Sequence, residues 1–348
     1  IHKHMSTRLS RQFRGTITDV SSCKSPASPH QDDLDLIAMA KAALNYLRGN
    51  PEPSRAYECK FSLGPLGIPC HLPELVTPNQ YGYDPVSLGD TDCRMDWQYP
   101  HMREMAGDPN SDAVERGVHA RVLGYLHDDH YAWINPAAYI GAPIDGTWIG
   151  SWTTAKLLYS LAETWQRTGD RHAREEARSI FVALKRLAAW DGDKPYYRGI
   201  APFKDNEWLL TGWCQTHGRN YPFVVEACVR YWECTGDQEA LEFAMAFTEG
   251  FLAGVQPDMG TLRVDPQTGA FEGHVHIHTH AIWGVAHLGA VLGEQRYTEW
   301  ARLAYEFVLS RGTDYGWYPE FIPQDAYRTE ICVVGDMVSL GVCLARSG

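Results

Sequence analysis

Apolar residues recur along this chain at the three-to-four spacing of helix faces, over 32–48, 92–106, 111–127, 152–167, 171–190, 221–234, 238–254, 279–292, 296–311 and 330–346. Strand-like alternation is confined to short pieces such as Gly260–Val264 and Gly273–Ile277. The predicted helices come in pairs, and a turn of the form small residue, Gly, acid stands between the members of a pair. It occurs as Ala106-Gly107-Asp108, Thr168-Gly169-Asp170, Thr235-Gly236-Asp237 and Leu292-Gly293-Glu294. Gly supplies the left-handed C-cap of one helix, and an acid suits the positive start of the next.

The two members of a pair differ. The first is apolar nearly all round, as in Tyr221 to Trp232 and Ala281 to Leu292, and belongs in an inner ring. The second has a charged face, as in Arg171 to Arg186, and belongs outside. This pattern predicts an all-α fold, an (α/α)6-type toroid of helical hairpins over residues 32–348. Ten helices are legible where six closed hairpins make twelve, so the expectation is a toroid incomplete at its C-terminal end. Ile1 to Met5 reads as a tag remnant, and the stretch up to residue 31 as a flexible segment without the apolar run of a secretory signal.

The short turns occupy one end of such a toroid. The long connections 128–151, 191–220, 255–278 and 312–329 then emerge at the other, where every inner helix begins. Helix N-termini carry partial positive charge, and loops on a rigid scaffold commonly carry function. That end is the expected site.

Composition narrows the chemistry. The net charge is −12 and the basic residues form no patch, which argues against nucleic acid and anionic membrane as partners. No apolar run reaches the roughly 20 residues of a membrane-spanning helix. Twelve Trp and 18 Tyr are a generous supply for stacking on sugar rings, so carbohydrate is the expected partner. Nine scattered Cys do not read as a disulfide framework and favour a reducing, cytoplasmic setting. Self-association into a homo-oligomer is left open.

The loop before the last helix carries Glu320 between the aromatics Trp317, Tyr318 and Phe321. A carboxyl partly desolvated by such neighbours has its pKa raised toward general-acid range, the alternative being a plain surface carboxylate. Trp317 and Tyr318 are candidate sugar platforms. Glu330 and Cys332 form an acid-x-Cys pair at a helix start, which suits zinc but supplies only two ligands; a capping Glu and an ordinary buried Cys explain it equally. His274, His276, His278 and His280 alternate, which on an extended segment would favour one face for chelating a metal, binding hydroxyls or moving protons; His280 and His287 already fall in the predicted inner helix, so the four cannot all share that face. His278 and His280 are the candidate proton-transfer groups, with His276 as a substrate contact. Two further loop sets could bind hydroxyls: Trp208, Trp213, His217, Arg219 and Asn220, and His127, Asp128, Asp129, His130, Tyr131 and Trp133. From these, Trp213, His217 and Asp129 are the substrate-binding candidates. Asp90, Asp92 and Arg94 precede a predicted helix, where N-capping is the simple reading.

Over roughly residues 220–348 the chain resembles the zinc- and cysteine-dependent bacterial β-L-arabinofuranosidases. Pro319-Glu320-Phe321 and Glu330-Ile331-Cys332 look like that family's acid motif and its Glu-Thr-Cys helix start, with a shorter spacer. His278 to Gly289 is similar to its substrate-contacting His segment, and Val225-Glu226-Ala227 through Asp237 to its Ile-Glu-Ala helix and turn. The resemblance implies a six-hairpin toroid, Glu320 as general acid/base, and zinc held by Glu330 and Cys332. It also implies a Cys-Cys pair as nucleophile and remaining zinc ligands, and this sequence contains no adjacent cysteines. The first functional expectation is therefore a glycoside hydrolase. The second is a sugar epimerase or uronate-processing lyase or hydrolase using the loop histidines, and the third a non-catalytic carbohydrate-binding toroid.

Overall fold

The computed structural model describes residues 35–57, 59, 90–126, 128, 130, 133–134, 148–149, 151–197, 222–253, 264–323 and 331–348. Ten α-helices lie among the described residues. They are α1 (Leu36–Gly49), α2 (Asp90–Ala106), α3 (Ala113–Leu123), α4 (Ser151–Thr168), α5 (Arg171–Leu187), α6 (Pro222–Thr235), α7 (Gln238–Leu252), α8 (Val275–Leu292), α9 (Gln295–Leu309) and α10 (Ile331–Arg346). Each matches one of the ten predicted from apolar spacing, with ends displaced by about one turn at most. Three two-stranded antiparallel ribbons accompany them: β1 (Trp133–Ile134) with β2 (Trp148–Ile149), β3 (Ala189–Asp191) with β4 (Lys194–Tyr196), and β5 (Gly273–His274) with β6 (Phe321–Ile322). No described helix is long and apolar enough to cross a membrane.

Packing follows the predicted alternation. Helices α2, α4, α6, α8 and α10 neighbour one another in that order, while α1 and α3 pack on α2, α5 on α4, α7 on α6 and α9 on α8. Burial separates the rows as the sequence pattern requires. Helix α8 buries residues all round its circumference, from Val275 through Thr279 and Gly284 to Val291. Helix α5 buries one stripe, Ala173, Ala177, Ile180, Phe181 and Leu184, and turns its charges outward.

The four Gly-acid turns close these hairpins. Gly107, Gly169, Gly236 and Gly293 all sit at φ between 67° and 75°, a region that penalises a Cβ. Asp170 and Asp237 accept from the amides of His172 (2.9 Å) and Glu239 (3.1 Å), capping α5 and α7. The first turn departs from the pattern. Asp108 accepts from the Asn110 amide at 3.0 Å, and the cap of α3 is Asp112, which accepts from Glu115 at 3.0 Å.

Near these turns the interior is ionic. Glu163 receives Arg230 and, at 2.8 Å, Arg167; His287 sits 2.9 Å from Glu226 and 3.4 Å from Glu233. Toward the opposite end, Trp97 stacks on Phe223 with centroids 5.2 Å apart, and Tyr159 packs against both.

The His-rich segment departs from the expected extended run. Only Gly273 and His274 pair as strand, with Ile322 and Phe321, and α8 begins at the next residue. The ladder ends where the Val275 amide donates to the Glu320 carbonyl at 2.8 Å. The first turn is then secured by side chains bonding four residues back, His278 Nδ1 to the His274 carbonyl at 2.7 Å and Thr279 Oγ1 to that of Val275 at 3.0 Å. Just upstream, Gly269 (φ 69°) lies so close to α9 that a Cβ would sit 2.2 Å from the Leu303 carbonyl carbon. Gly269→Ala is therefore expected to destabilise the fold by at least about 2 kcal/mol, since backbone must move as well as strain. Urea denaturation checks this, and a loss under half that size would refute the close approach.

Candidate active site

Because each inner helix is followed by a short turn and an outer helix running back, the inner N-terminal turns share one end of the toroid. Five of them contribute side chains to one cluster: Arg94 from α2, Lys156 from α4, Phe223 from α6, His276 and His280 from α8, and Cys332 and Asp336 from α10. Helical rather than extended backbone decides which histidines take part. His276 and His280 are one turn apart on one face, as are Cys332 and Asp336 on the facing helix.

Asp336 is the hub. Its Oδ2 lies 2.6 Å from His276 Nδ1 and accepts from Thr279 Oγ1 at 2.8 Å, while Oδ1 lies 3.2 Å from His280 Nδ1. Burial alone would push this carboxyl up, but the two imidazoles that face it, His276 and His280, hold it far below the usual range, so it is ionised. On its other side His276 receives Arg94: Nη2 is 3.0 Å from His276 Nε2. A guanidinium only donates, so Nε2 accepts and the ring proton sits on Nδ1, facing Asp336. The result is a line of donors, Arg94 to His276 to Asp336.

His280 is held differently. Its ring packs 5.0 Å from Phe223 and 5.3 Å from Trp283, and only 6% of the residue is exposed. Nδ1 approaches Asp336 off the hydrogen-bonding direction, and Nε2 has no hydrogen-bond partner among the described residues. Burial lowers its pKa to about 4 against the opposing pull of Asp336, so the ring is neutral and its lone pair free at neutral pH. Lys156 is 3% exposed, with its ammonium 5.7 Å from the Phe223 ring centroid. Burial brings it down to about 7, although Cys332 and Asp336 oppose the shift.

The other predicted residues are placed as follows. Glu320 is 6% exposed, so it is no surface carboxylate, and its main chain is fastened to the start of α8. His278 turns away from Asp336 and stacks on Phe271 at 4.2 Å. That geometry separates it from the cluster that His280 joins. Trp317 is 40% exposed, and Tyr318 packs its ring on Gly312 after α9. Neither ring contacts the histidine cluster among the described residues. Trp213, His217, Asp129 and Glu330 lie outside the described residues. Asp90, Asp92 and Arg94 lie inside α2 rather than before it. Asp92 does not cap: fully buried, it accepts from the Cys59 amide at 2.9 Å, Arg121 Nε at 2.8 Å and the Tyr125 hydroxyl.

Asp336 and Lys156 went unnamed in the sequence reading, yet each left a signal. Each is a lone charge in a mostly apolar stretch of an inner helix, Val333 to Leu340 and Ala155 to Leu158. Such a charge must find partners in the interior.

The ligand atoms of His276, His280 and Asp336 lie within 4.8 Å of one another, close enough to hold a cation. The donor set fits one poorly. Arg94 puts the His276 proton on the nitrogen a metal would need, and a second cation, Lys156, stands beside Asp336. Zinc at Cys332 would compete with the positive charge of the same Lys156, which that thiol favours. The arrangement suits proton handling: an ionised, fully engaged carboxylate, one imidazole of fixed tautomer, one neutral imidazole with an open nitrogen, and a buried amine.

No family model and no curated protein matches the sequence. Solved structures do. A family 76 α-mannanase from Bacteroides thetaiotaomicron superposes with a TM-score of 0.54 at 13% identity, covering 74% of this chain and 67% of its own. A sugar epimerase from a ruminal bacterium gives 0.51 at 12% identity, over 89% and 85%. A polysaccharide lyase gives 0.52 at 12% identity, over 88% and 84%. The chain has the six-hairpin (α/α) toroid fold. Structures of β-L-arabinofuranosidases also match, with TM-scores of 0.42 and 0.43, and the chain spans 41% and 50% of their length. At these identities the likeness concerns the fold alone.

Proposed function

We propose that this toroid is a carbohydrate-active enzyme that moves a proton on a bound sugar, as an epimerase or lyase does. One observation carries the reading: His280, neutral and buried, presents an Nε2 that has no hydrogen-bond partner among the described residues, while Asp336 stands behind its other nitrogen. That is the arrangement of a general base with its positioning carboxylate. A carbon–hydrogen bond next to a carbonyl breaks, the proton passes to Nε2, and the electron pair enters the carbonyl as an enolate. Reprotonation on the other face gives the epimer; departure of a group from the next carbon gives the unsaturated sugar. Lys156 supplies positive charge beside the developing oxyanion. The same fold serves an epimerase and a lyase among the matched structures, in keeping with this reading.

The test is exchange. Incubated in D2O with a panel of sugars and uronides, the enzyme is expected to wash deuterium into one carbon position, read by NMR. His280→Gln should slow this by about 100-fold or more. Cleavage of a glycoside without any such exchange would overturn the reading.

Glycoside hydrolysis with Glu320 as general acid is the second reading, favoured by the burial of Glu320 beside the start of α8. A glycosidase of the usual kind needs a second, available carboxylate about 5–10 Å away, and Asp336 is already engaged. Glu320→Gln is expected to leave exchange intact; loss of aryl-glycoside cleavage in that variant would favour hydrolysis instead. Zinc at Glu330 and Cys332 is a separate proposal, decided by metal analysis of the purified protein. A toroid that binds sugar yet shows neither exchange nor cleavage would be a non-catalytic carbohydrate binder.

A further inference from the structure

We infer that this protein has a second, non-catalytic carbohydrate site outside the inner ring, a cleft that holds a short run of a neutral glycan. The cleft has a volume of about 1050 Å³ and lies between the ends of α7 and α9, against the segment 264–272. Small-molecule sites span roughly 300–1,000 Å³, so there is room for more than one sugar ring. Helix α8 separates the cleft from the histidine cluster. Phe271 lines the cleft and stacks on His278, whereas His276 and His280 turn to Asp336 on the other side of that helix. The two places are therefore about one helix diameter apart, ~10 Å.

The lining selects its ligand by chemistry. Phe251, Phe271 and Phe307 give an apolar floor, which suits the C–H faces of sugar rings. Asp265, Glu272 and Arg311 are exposed at the rim. Arg311 is held beside the floor, its guanidinium carbon 5.0 Å from the Phe307 centroid. Among the described residues Glu272 and Arg311 form no ion pair with each other or with another charge, although both line the same cleft. A carboxylate only accepts and a guanidinium only donates, so a ligand that serves both must offer donors and acceptors, as neighbouring hydroxyls do. A purely apolar ligand would desolvate these charges without pairing them. Anions are disfavoured twice over. Two carboxylates stand against one guanidinium, and α7 and α9 end here, where helix carbonyls carry partial negative charge. A neutral glycan meets each of these demands.

The experiment is affinity electrophoresis of the intact protein in gels containing soluble glucan, mannan, xylan, arabinan or galactan. Polygalacturonate serves as the charged control. At least one neutral glycan is expected to retard the wild-type protein. Glu272→Ala and Arg311→Ala should each weaken that binding by about tenfold, the size of one hydrogen bond to a charged group. Both side chains are exposed and carry no ion pair, so the fold should be unaffected. His280→Gln should be retarded as strongly as wild type. Absence of retardation by every neutral glycan, equal or stronger binding of polygalacturonate, or unchanged retardation in both rim variants would overturn the inference. Loss of retardation in His280→Gln would overturn it as well, by returning the binding to the ring site. Retardation is read without turnover, so the cleft stands or falls apart from the proton-transfer reading.

Discussion

Replacing Asp336 by asparagine is expected to lower kcat by about 1000-fold while leaving KM within a few-fold of wild type. The side chain keeps its shape, but the negative charge between two imidazoles is lost. His276 retains an acceptor in the amide oxygen, and Arg94 still fixes its tautomer. His280 then faces either an amide that donates or one without charge to stabilise an imidazolium, so the proton it takes is no longer balanced. The pH profile separates this from structural damage. The wild-type acidic limb follows His280 and the basic limb follows Lys156, whereas Asp336→Asn should lower the plateau and shift the His280 limb further to acid. Stability should respond as well. A carboxyl whose folded pKa is depressed stabilises the fold above its unfolded value near 4, and this contribution is lost as pH falls through the folded value. The variant should therefore lose stability at pH 7 and converge on wild type in strong acid. A variant with unchanged kcat would remove Asp336 from the mechanism.

The second large effect is expected at the opposite end of the toroid. Burial by itself would lower the pKa of His287, but the charges and hydrogen bonds of Glu226 and Glu233 raise it to about 10. This contribution to stability is fully present below the unfolded value near 6.5 and is lost as pH rises through about 10. His287→Gln keeps hydrogen-bonding capacity and removes the charge, leaving the nearly inaccessible Glu226 without a cation. A cost of about 3 kcal/mol at pH 6 is expected, shrinking toward pH 10. Urea denaturation of both proteins at pH 6, 8 and 10 measures it. The difference between them isolates His287 from Lys156, whose lowered value contributes stability that grows with pH above about 7. A difference that stays constant across the range would mean that the ion pair does not hold His287 charged.

The helices were legible because their signals are local. Apolar spacing, Gly at the left-handed turn and an acid after it act within a few residues; the left-handed Gly recurs at all four turns, and the acid caps the next helix after Gly169 and Gly236. The His run was misread for a local reason too. Alternating residues over five positions satisfy a strand period and also leave an i,i+4 pair for a helix, and short runs do not separate the two. Reading it as helix would have paired His276 with His280 and released His278. Lys156 and Asp336 were visible as isolated charges in apolar stretches, but nothing local says that two such charges meet. Arg94 was the least legible, because its position suggested a cap and its partner comes from a distant part of the sequence.

That partner is 182 residues away in sequence. The proton of His276 is therefore set by a helix from the opposite half of the chain, and the active arrangement belongs to no single hairpin. Folding of any one hairpin can raise helicity without producing a competent site. Activity becomes a reporter of ring assembly, appearing only when α2 and α8 have been brought into register. Restoring a separated N-terminal piece should switch chemistry on in one concerted step, well after most secondary structure has formed.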